Sequence, residues 1–120
     1  MAYWYRITPQ GELDAHDRKP TLEQLQQAVG GDIEVVPMMN LPLELMILCN
    51  EQPENERTVN FIANFITSIR VVGTIVVIGP ADEDGEFTPV PARYDMFLRG
   101  FASVVNELRE LHRAGLTVQQ

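Results

Sequence analysis

The sequence contains a single cysteine, Cys49, so no disulfide can form within the chain. A lone free thiol is typical of a reducing compartment, and we predict a cytoplasmic protein. Cys49 ends the apolar run 45–49, which favours a small buried core residue over a reactive thiol. His16 and His112 lie far apart in sequence, so a Cys/His metal site cannot form. We therefore predict no metal and no cofactor.

Basic residues are scarce: nine Lys and Arg stand against 17 Asp and Glu, giving a net charge of −8. They are scattered along the chain and form no basic stripe, so direct nucleic-acid binding is not expected. The acidic residues cluster in 44–56 and 82–86. This distribution favours a solvated surface or a basic protein partner. Mimicry of DNA, inhibiting a basic enzyme, is an alternative that requires the acids of 51–56 and 82–86 to form one continuous face.

Long hydrophobic runs and an N-terminal secretory signal are also missing. The longest apolar run, 71–78, contains Gly73 and Thr74 and is far shorter than the roughly 20 residues that span a bilayer. It is rich in β-branched residues, which indicates a buried strand at the centre of a sheet. We therefore expect no membrane association.

Recognisable catalytic motifs are absent. Ser68 and Ser103 fall in predicted helices without the sharp turn of a nucleophile elbow. The sequence Asp82-x-Asp84-Gly85 lacks the closing glutamate of a calcium loop and is interpreted as a turn. Gly30-Gly31 follows a predicted helix, whereas a phosphate-binding loop precedes one. We predict that the protein is not an enzyme and has no catalytic residues.

The strongest structural signal is the run Val29-Gly30-Gly31-Asp32-Ile33-Glu34-Val35-Val36, which ends a helix, turns and begins a strand. Thr21 and Gln24 have the spacing of a capping box, so we predict a helix over 21–29. Strands are predicted over 3–8, around Leu13, and over 33–36, 45–49 and 71–78. The connector 37–42 is unusually apolar, with Met38, Met39 and Leu41, and we expect it to fold over the core; a partner-binding patch is the alternative.

Two further helices are indicated by apolar residues at three- and four-residue steps, over 58–69 and 92–114. The second is longer than is needed to cover a small sheet. Its surplus apolar surface raises the possibility of a homodimer, with these candidate interface residues: Phe97, Phe101, Val104, Leu108 and Leu111.

The predicted fold is α+β. We expect a small, mainly antiparallel sheet of four or five strands, with two or three helices packed on one face and a long C-terminal helix. The 120 residues form one domain, comprising a core over 1–90, the C-terminal amphipathic helix over 91–115 and a tail over 116–120.

Three polar residues stand where a strand ends and a helix begins: Asn50, Glu51 and Asn60. Side chains at such positions can converge on a pocket, and we consider them candidate ligand-binding residues. The alternative, which we favour, is structural: Asn50 and Glu51 cap a turn and Asn60 bonds to a neighbouring loop.

The order of several motifs resembles the family called domain of unknown function 3846. These motifs are Val29–Glu34, Asn50-Glu51, Asn60-Phe61-Ile62-Ala63 and Val72-Gly73-Thr74-Ile75-Val76-Val77, and the resemblance covers residues 3–86. It implies a fold and a phage or mobile-element context, but no activity. The segment after Asn50-Glu51 departs from the short glycine-containing turn of the family, and the long C-terminal helix is not expected of its minimal form.

The first hypothesis for function is therefore a non-enzymatic accessory protein of phage or mobile-element type that acts by protein–protein association, as a homodimer. The second is capture of a small ligand near Asn50, Glu51 and Asn60. The third is the acidic DNA mimic.

Overall fold

A central strand, β5 (Ile75–Ala81), is covered on both sides by apolar side chains. The computed structural model describes residues 2–37, 44–53 and 58–115. Within them the other strands are β1 (Trp4–Ile7), β2 (Leu13–His16), β3 (Ile33–Val36), β4 (Met46–Asn50) and β6 (Phe87–Thr88). The helices are α1 (Leu22–Val29), α2 (Phe61–Thr67) and α3 (Asp95–Arg113), the last preceded by a 3-10 turn at Ala92–Tyr94. The predicted α+β class is confirmed.

The strands form one antiparallel sheet in the order β2-β1-β5-β4-β3, with β6 pairing with the end of β5. Ile78 of β5 lies between Trp4 of β1 and Met46 of β4, which sets the register of the central three strands. The predicted central position of this apolar segment is confirmed. The strand begins at Ile75 rather than at the predicted residue 71, because Val72 forms an isolated bridge with Val59 and Gly73 has a φ of 84°.

The helices are divided between the two faces of the sheet, which corrects the prediction that they pack on one face. Side chains alternate along β5, so Val76 and Ile78 point to one face while Ile75 and Val77 point to the other. The first pair packs with Leu25 of α1, and the second pair belongs to the cluster that contains the buried residues of α2 and α3. Because β5 is apolar on both faces, each face requires a helical cover.

Both ends of α1 are set by local sequence signals, a capping box at the start and a glycine at the end. Thr21 caps the helix by accepting from the N–H of Gln24, whose side chain accepts from the N–H of Thr21. Gly30 ends it in the left-handed conformation, with φ 84°. The predicted capping box and glycine exit are confirmed.

The helix α2 is shorter than the predicted 58–69, because Asn60 caps its start and Ser68 adopts a left-handed conformation at its end. Its buried side chains are Ile62, Ala63, Ile66 and Thr67.

The helix α3 begins at Asp95, since Pro91 precedes the 3-10 turn rather than the first turn of the helix. The turn between β1 and β2 holds it in place: a Cβ on Gly11 would lie 2.5 Å from the carbonyl oxygen of Ala102. Asn106 Nδ2 also donates to the carbonyl of Gln10 at 3.3 Å. Beyond Val105 no residue of α3 is buried. Among residues 2–37, 44–53 and 58–115, no helix has the length and apolarity to cross a membrane.

Some predictions fall outside the described residues. The apolar connector with Met38, Met39 and Leu41, the acidic residues Glu54 and Glu56, and the predicted tail 116–120 all lie there.

Candidate functional site

Two of the three candidate ligand-binding residues, Asn50 and Glu51, lie together at the end of β4. Asn50 Nδ2 donates to the carbonyl of Val29 at 3.3 Å, while its Oδ1 accepts from the N–H of Gln52 at 2.8 Å. A Cβ on Gly31 would lie 2.9 Å from the side-chain amide of Asn50, so a larger residue there would require that amide to shift. Asn50 and Glu51 thus line a pocket with the turn after α1. At about 210 Å³ it is smaller than the roughly 300–1,000 Å³ typical of small-molecule sites.

Asn60 does not line this pocket. Its side chain is fully buried, on the α2 side of the sheet. Its Oδ1 accepts from the N–H of Ala63 at 3.2 Å, and its Nδ2 donates to the carbonyls of Ile7 and Gly73 at 3.1 and 3.0 Å. Since both amide hydrogens and the oxygen are engaged, the side chain has little left to offer a ligand. Its contacts are structural, joining the start of α2 to the ends of β1 and β5.

Cys49 is half-buried, and the part of the chain that the structure describes gives its thiol no activating partner. Burial, followed by the nearby carboxylate of Glu34, raises the pKa of its thiol. A thiol with a raised pKa stays protonated at neutral pH and is a poor nucleophile.

The two histidines lie on different elements, β2 and α3. His16 stacks on the ring of Trp4, with centroids 4.0 Å apart. His112 lies near the end of α3. Neither histidine has a partner that would form a nucleophilic triad within the described residues. The same residues contain no group of three or more His, Cys, Asp or Glu able to hold a metal ion.

The acidic segments do not form one face within the described residues. Glu51 follows the last residue of β4, whereas Asp82 follows the last residue of β5, which runs in the opposite direction. The two are therefore separated by at least the length of β5, roughly 23 Å at about 3.3 Å per residue. Lys19 also pairs with Glu86 in the second segment. Glu54 and Glu56 lie outside the described residues, so Glu51 alone represents the first segment, and its separation from Asp82 does not favour a DNA mimic, which we do not propose.

The most extensive candidate surface is the exposed apolar side of α2 and α3. Four of the five predicted interface residues are exposed: Phe97 by 36%, Val104 by 55%, Leu108 by 47% and Leu111 by 40%. Phe101 is half-buried, with its ring centroid 5.0 Å from that of Phe65.

Two more exposed residues enlarge this surface: Phe61 (51%) and Phe65 (64%). The sequence places both phenylalanines beside the buried stripe of α2, but it does not show that they approach α3. Met96 is also exposed, by 84%, but it points about 100° around the helix from Phe97 and lies outside the row. We call Phe61, Phe65 and the five predicted residues the apolar surface.

A groove runs along the second half of α3 within this surface. Its volume is about 760 Å³. Phe61 and Gln10 form its walls, and α3 contributes Phe101, Val104, Val105, Leu108, Arg109, His112 and Arg113. The groove is apolar along most of its length and basic at the C-terminal end of α3.

The sequence matches the family described as domain of unknown function 3846 over residues 3–102. The chain belongs to this family. The match extends beyond the predicted residue 86 and ends within α3, so the first turns of the long helix lie inside the family region. Comparisons with curated proteins and with solved structures give no match.

The four motifs behind the resemblance meet in space as two pairs. Val29-Gly30-Gly31 contacts Asn50, which donates to the carbonyl of Val29 and whose side-chain amide would have to shift for a side chain at residue 31. Asn60 and Ala63 open α2 and are tied to Gly73. These contacts hold elements together, and of the four motifs only Phe61 belongs to the apolar surface.

Proposed function

We propose that the protein is a non-enzymatic binding protein that self-associates through the apolar surface of α2 and α3. The observation that carries the proposal is the exposed row on α3. Phe97, Phe101, Val104, Leu108 and Leu111 follow one another at steps of four, three, four and three residues. This is the spacing of a helix that packs lengthwise against another helix.

The extent of the apolar surface also supports a dimer. If each side chain is given the value for an aromatic ring, about 200 Å², the exposed fractions of the apolar surface correspond to roughly 600 Å². The largest apolar patch of a typical monomer covers about 300–600 Å², and a stable interface buries about 800 Å² on each partner. A second copy that covers this surface, together with the polar residues around it, would reach that size.

A second copy suits the surface better than a basic partner does, because the exposed row is uncharged. The acidic segment 82–86 lies at a sheet end and contributes nothing to the row. A two-fold pairing of α3 brings the same apolar residues of both copies together, as an isologous interface requires.

Sedimentation velocity at micromolar concentration tests the proposal. We expect a dimer for the unchanged protein and a monomer for Val104→Glu, since a charge in the centre of the row would be buried against the partner. Leu22→Glu is the matched control: Leu22 is 58% exposed on α1, on the opposite face of the sheet, and this variant should remain a dimer.

Self-association would be contradicted if the unchanged protein is a monomer at these concentrations. The α3 interface would be excluded if Val104→Glu and the unchanged protein give the same sedimentation profile. The cytoplasmic setting and the phage or mobile-element context stay predictions from the sequence.

A further inference from the structure

The groove on α3 combines two features that a purely apolar interface would not need. Its length is lined by Phe61, Val104 and Leu108, while Arg109, His112 and Arg113 lie at its C-terminal end. A volume of about 760 Å³ is within the range of roughly 300–1,000 Å³ found for small-molecule sites. In a chain with a net charge of −8, this is a local concentration of basic groups.

Arg109 is the member of this group with an unused donor. Its Nε is buried and has no hydrogen-bond partner within the described residues. Arg113, by contrast, lies 3.1 Å from a carboxylate oxygen of Glu110. Arg109 itself lines the groove and forms no ion pair within the described residues, so its charge is available to an anion that enters the groove.

We propose that the groove binds a single-chain amphiphile with a carboxylate head, such as a medium- or long-chain fatty acid. The carboxylate accepts from Arg109, and the alkyl tail lies along Val104, Leu108 and Phe61. A charge-assisted hydrogen bond sets the direction of the ligand, and burial of the tail supplies most of the affinity.

A small anion fits the charge distribution better than an acidic polypeptide. Many negative charges on a partner would be repelled by the net charge of −8, whereas a single carboxylate is exposed mainly to the nearby arginines. Of the two arginines described in the groove lining, Arg113 is paired with Glu110 and Arg109 is not, which matches one anionic head rather than a row of acidic side chains.

The groove and the proposed dimer interface share Phe101, Val104 and Leu108, so a ligand and a second copy would compete for this surface, and the ligand is tested in a variant designed to be monomeric. Phe97 belongs to the row and does not itself line the groove, although its ring centroid lies 6.0 Å from that of Phe101, which does. Phe97→Glu should therefore yield a monomer with an open groove. The added charge is about 18 Å along the helix from Arg109, which exceeds the screening length of about 8 Å at physiological salt. If the unchanged protein is already monomeric, the same titration applies to it directly.

Isothermal titration with decanoate, decanol and decyltrimethylammonium separates the roles of tail and head, because the three share one alkyl chain. We expect decanoate to bind to the Phe97→Glu variant at least tenfold more tightly than decanol, and the cation to bind more weakly than either. Equal affinity for decanoate and decanol, or no binding of decanoate, would overturn the proposal.

Arg109→Gln locates the head group. It should weaken decanoate binding about tenfold, since a charge-assisted hydrogen bond is lost, while decanol binding stays unchanged. Arg18→Gln is the matched control, because Arg18 is an exposed arginine outside the groove and its loss changes the net charge equally. A similar loss of affinity in both variants would contradict a specific role for Arg109.

A membrane surface is the other source of an anionic amphiphile. Sedimentation with vesicles of phosphatidylglycerol should leave the protein in the supernatant, since its net negative charge opposes adsorption. Retention on these vesicles without binding of free decanoate would overturn the proposal of a free ligand.

Discussion

The helices that cover the two faces of the sheet differ in the fraction of their residues that is buried. On one face α1 uses eight residues, and its buried side chains Leu25 and Val29 complete a cluster with β1, β4 and β5. On the other face α3 has 19 residues, of which only three are buried: Leu98, Ala102 and Val105. Of the remaining apolar residues of α3, Phe101 is half-buried and the others are exposed. A helix that serves only to cover a sheet needs no such surplus, so the difference between the faces supports the proposed interface on α3.

The largest expected effect comes from making the same change on each face. Leu25→Ala should lower the free energy of unfolding by about 3 kcal/mol, because it removes a fully buried side chain and leaves a cavity. Leu108→Ala should change it by less than about 0.5 kcal/mol in the monomer, because Leu108 is 47% exposed. Urea unfolding in a background that carries Phe97→Glu measures both values without a contribution from dimerisation.

Equal losses for the two leucine variants would contradict the comparison between the faces. They would show that the second half of α3 is packed as tightly as α1.

The next effect concerns how α2 is attached to its face of the sheet. Asn60→Ala should destabilise the protein by about 2–3 kcal/mol, since it removes a helix cap and leaves the buried carbonyls of Ile7 and Gly73 without donors. Asn64→Ala, an exposed position on the same helix, should be neutral within about 0.5 kcal/mol. Thermal unfolding followed by circular dichroism compares the pair.

Full retention of stability by the Asn60 variant would show that packing of Ile62 and Ile66 alone holds α2. If Asn60→Ala does not fold, Asn60→Asp provides a milder test, because it keeps the cap acceptor and loses the two donated bonds.

The smallest effect concerns the start of α3, where the Tyr5 hydroxyl donates to Asp95, which is also 3.0 Å from Arg99. The hydrogen bond from Tyr5, followed by that from Arg99, lowers the pKa of Asp95. Burial, followed by the hydrogen bond to Asp95, raises the pKa of Tyr5. The pair therefore stabilises the protein at pH values above the unfolded pKa of Asp, about 3.9, and below that of Tyr, about 10.

Tyr5→Phe should lower the free energy of unfolding by about 1 kcal/mol or less at pH 7, because the Asp95 side chain is 41% exposed and solvent weakens the interaction. The difference from the unchanged protein should shrink as the pH falls through the lowered pKa of Asp95. Urea midpoints at pH 7 and at pH 3 measure it. Tyr3→Phe is the control, because the Tyr3 hydroxyl donates to the backbone carbonyl of Phe87. A Tyr5 effect that is equal at both pH values would exclude the Asp95 carboxylate as its cause.

Local patterns account for the elements that were predicted well. The capping box of Thr21 and Gln24 and the exit at Gly30 act within a few residues, so the extent of α1 is predicted to within one residue. The apolar run 71–78 predicts a central strand because both of its faces are apolar, and β5 occupies that position.

Long-range contacts account for the differences. The sequence allowed Asn60 to line a pocket or to bond to a neighbouring loop; its side chain is buried where the carbonyls of Ile7, at the end of β1, and of Gly73, ahead of β5, both accept from it. The groove was not predicted, since Gln10, Phe61 and Arg109 are distant in sequence and meet only after the β1–β2 turn packs against α3.

The sequence by itself determines which segments of this protein are helices and strands. It also determines that the C-terminal helix has more apolar residues than one small sheet can bury. Both properties depend on the spacing of side chains along the backbone. Tertiary structure decides which face each helix covers, which asparagine is buried and joins a helix to the sheet, and where apolar and basic side chains meet in a groove. Those outcomes depend on competition among distant segments for the two faces of β5, and such competition has no signature in a local pattern.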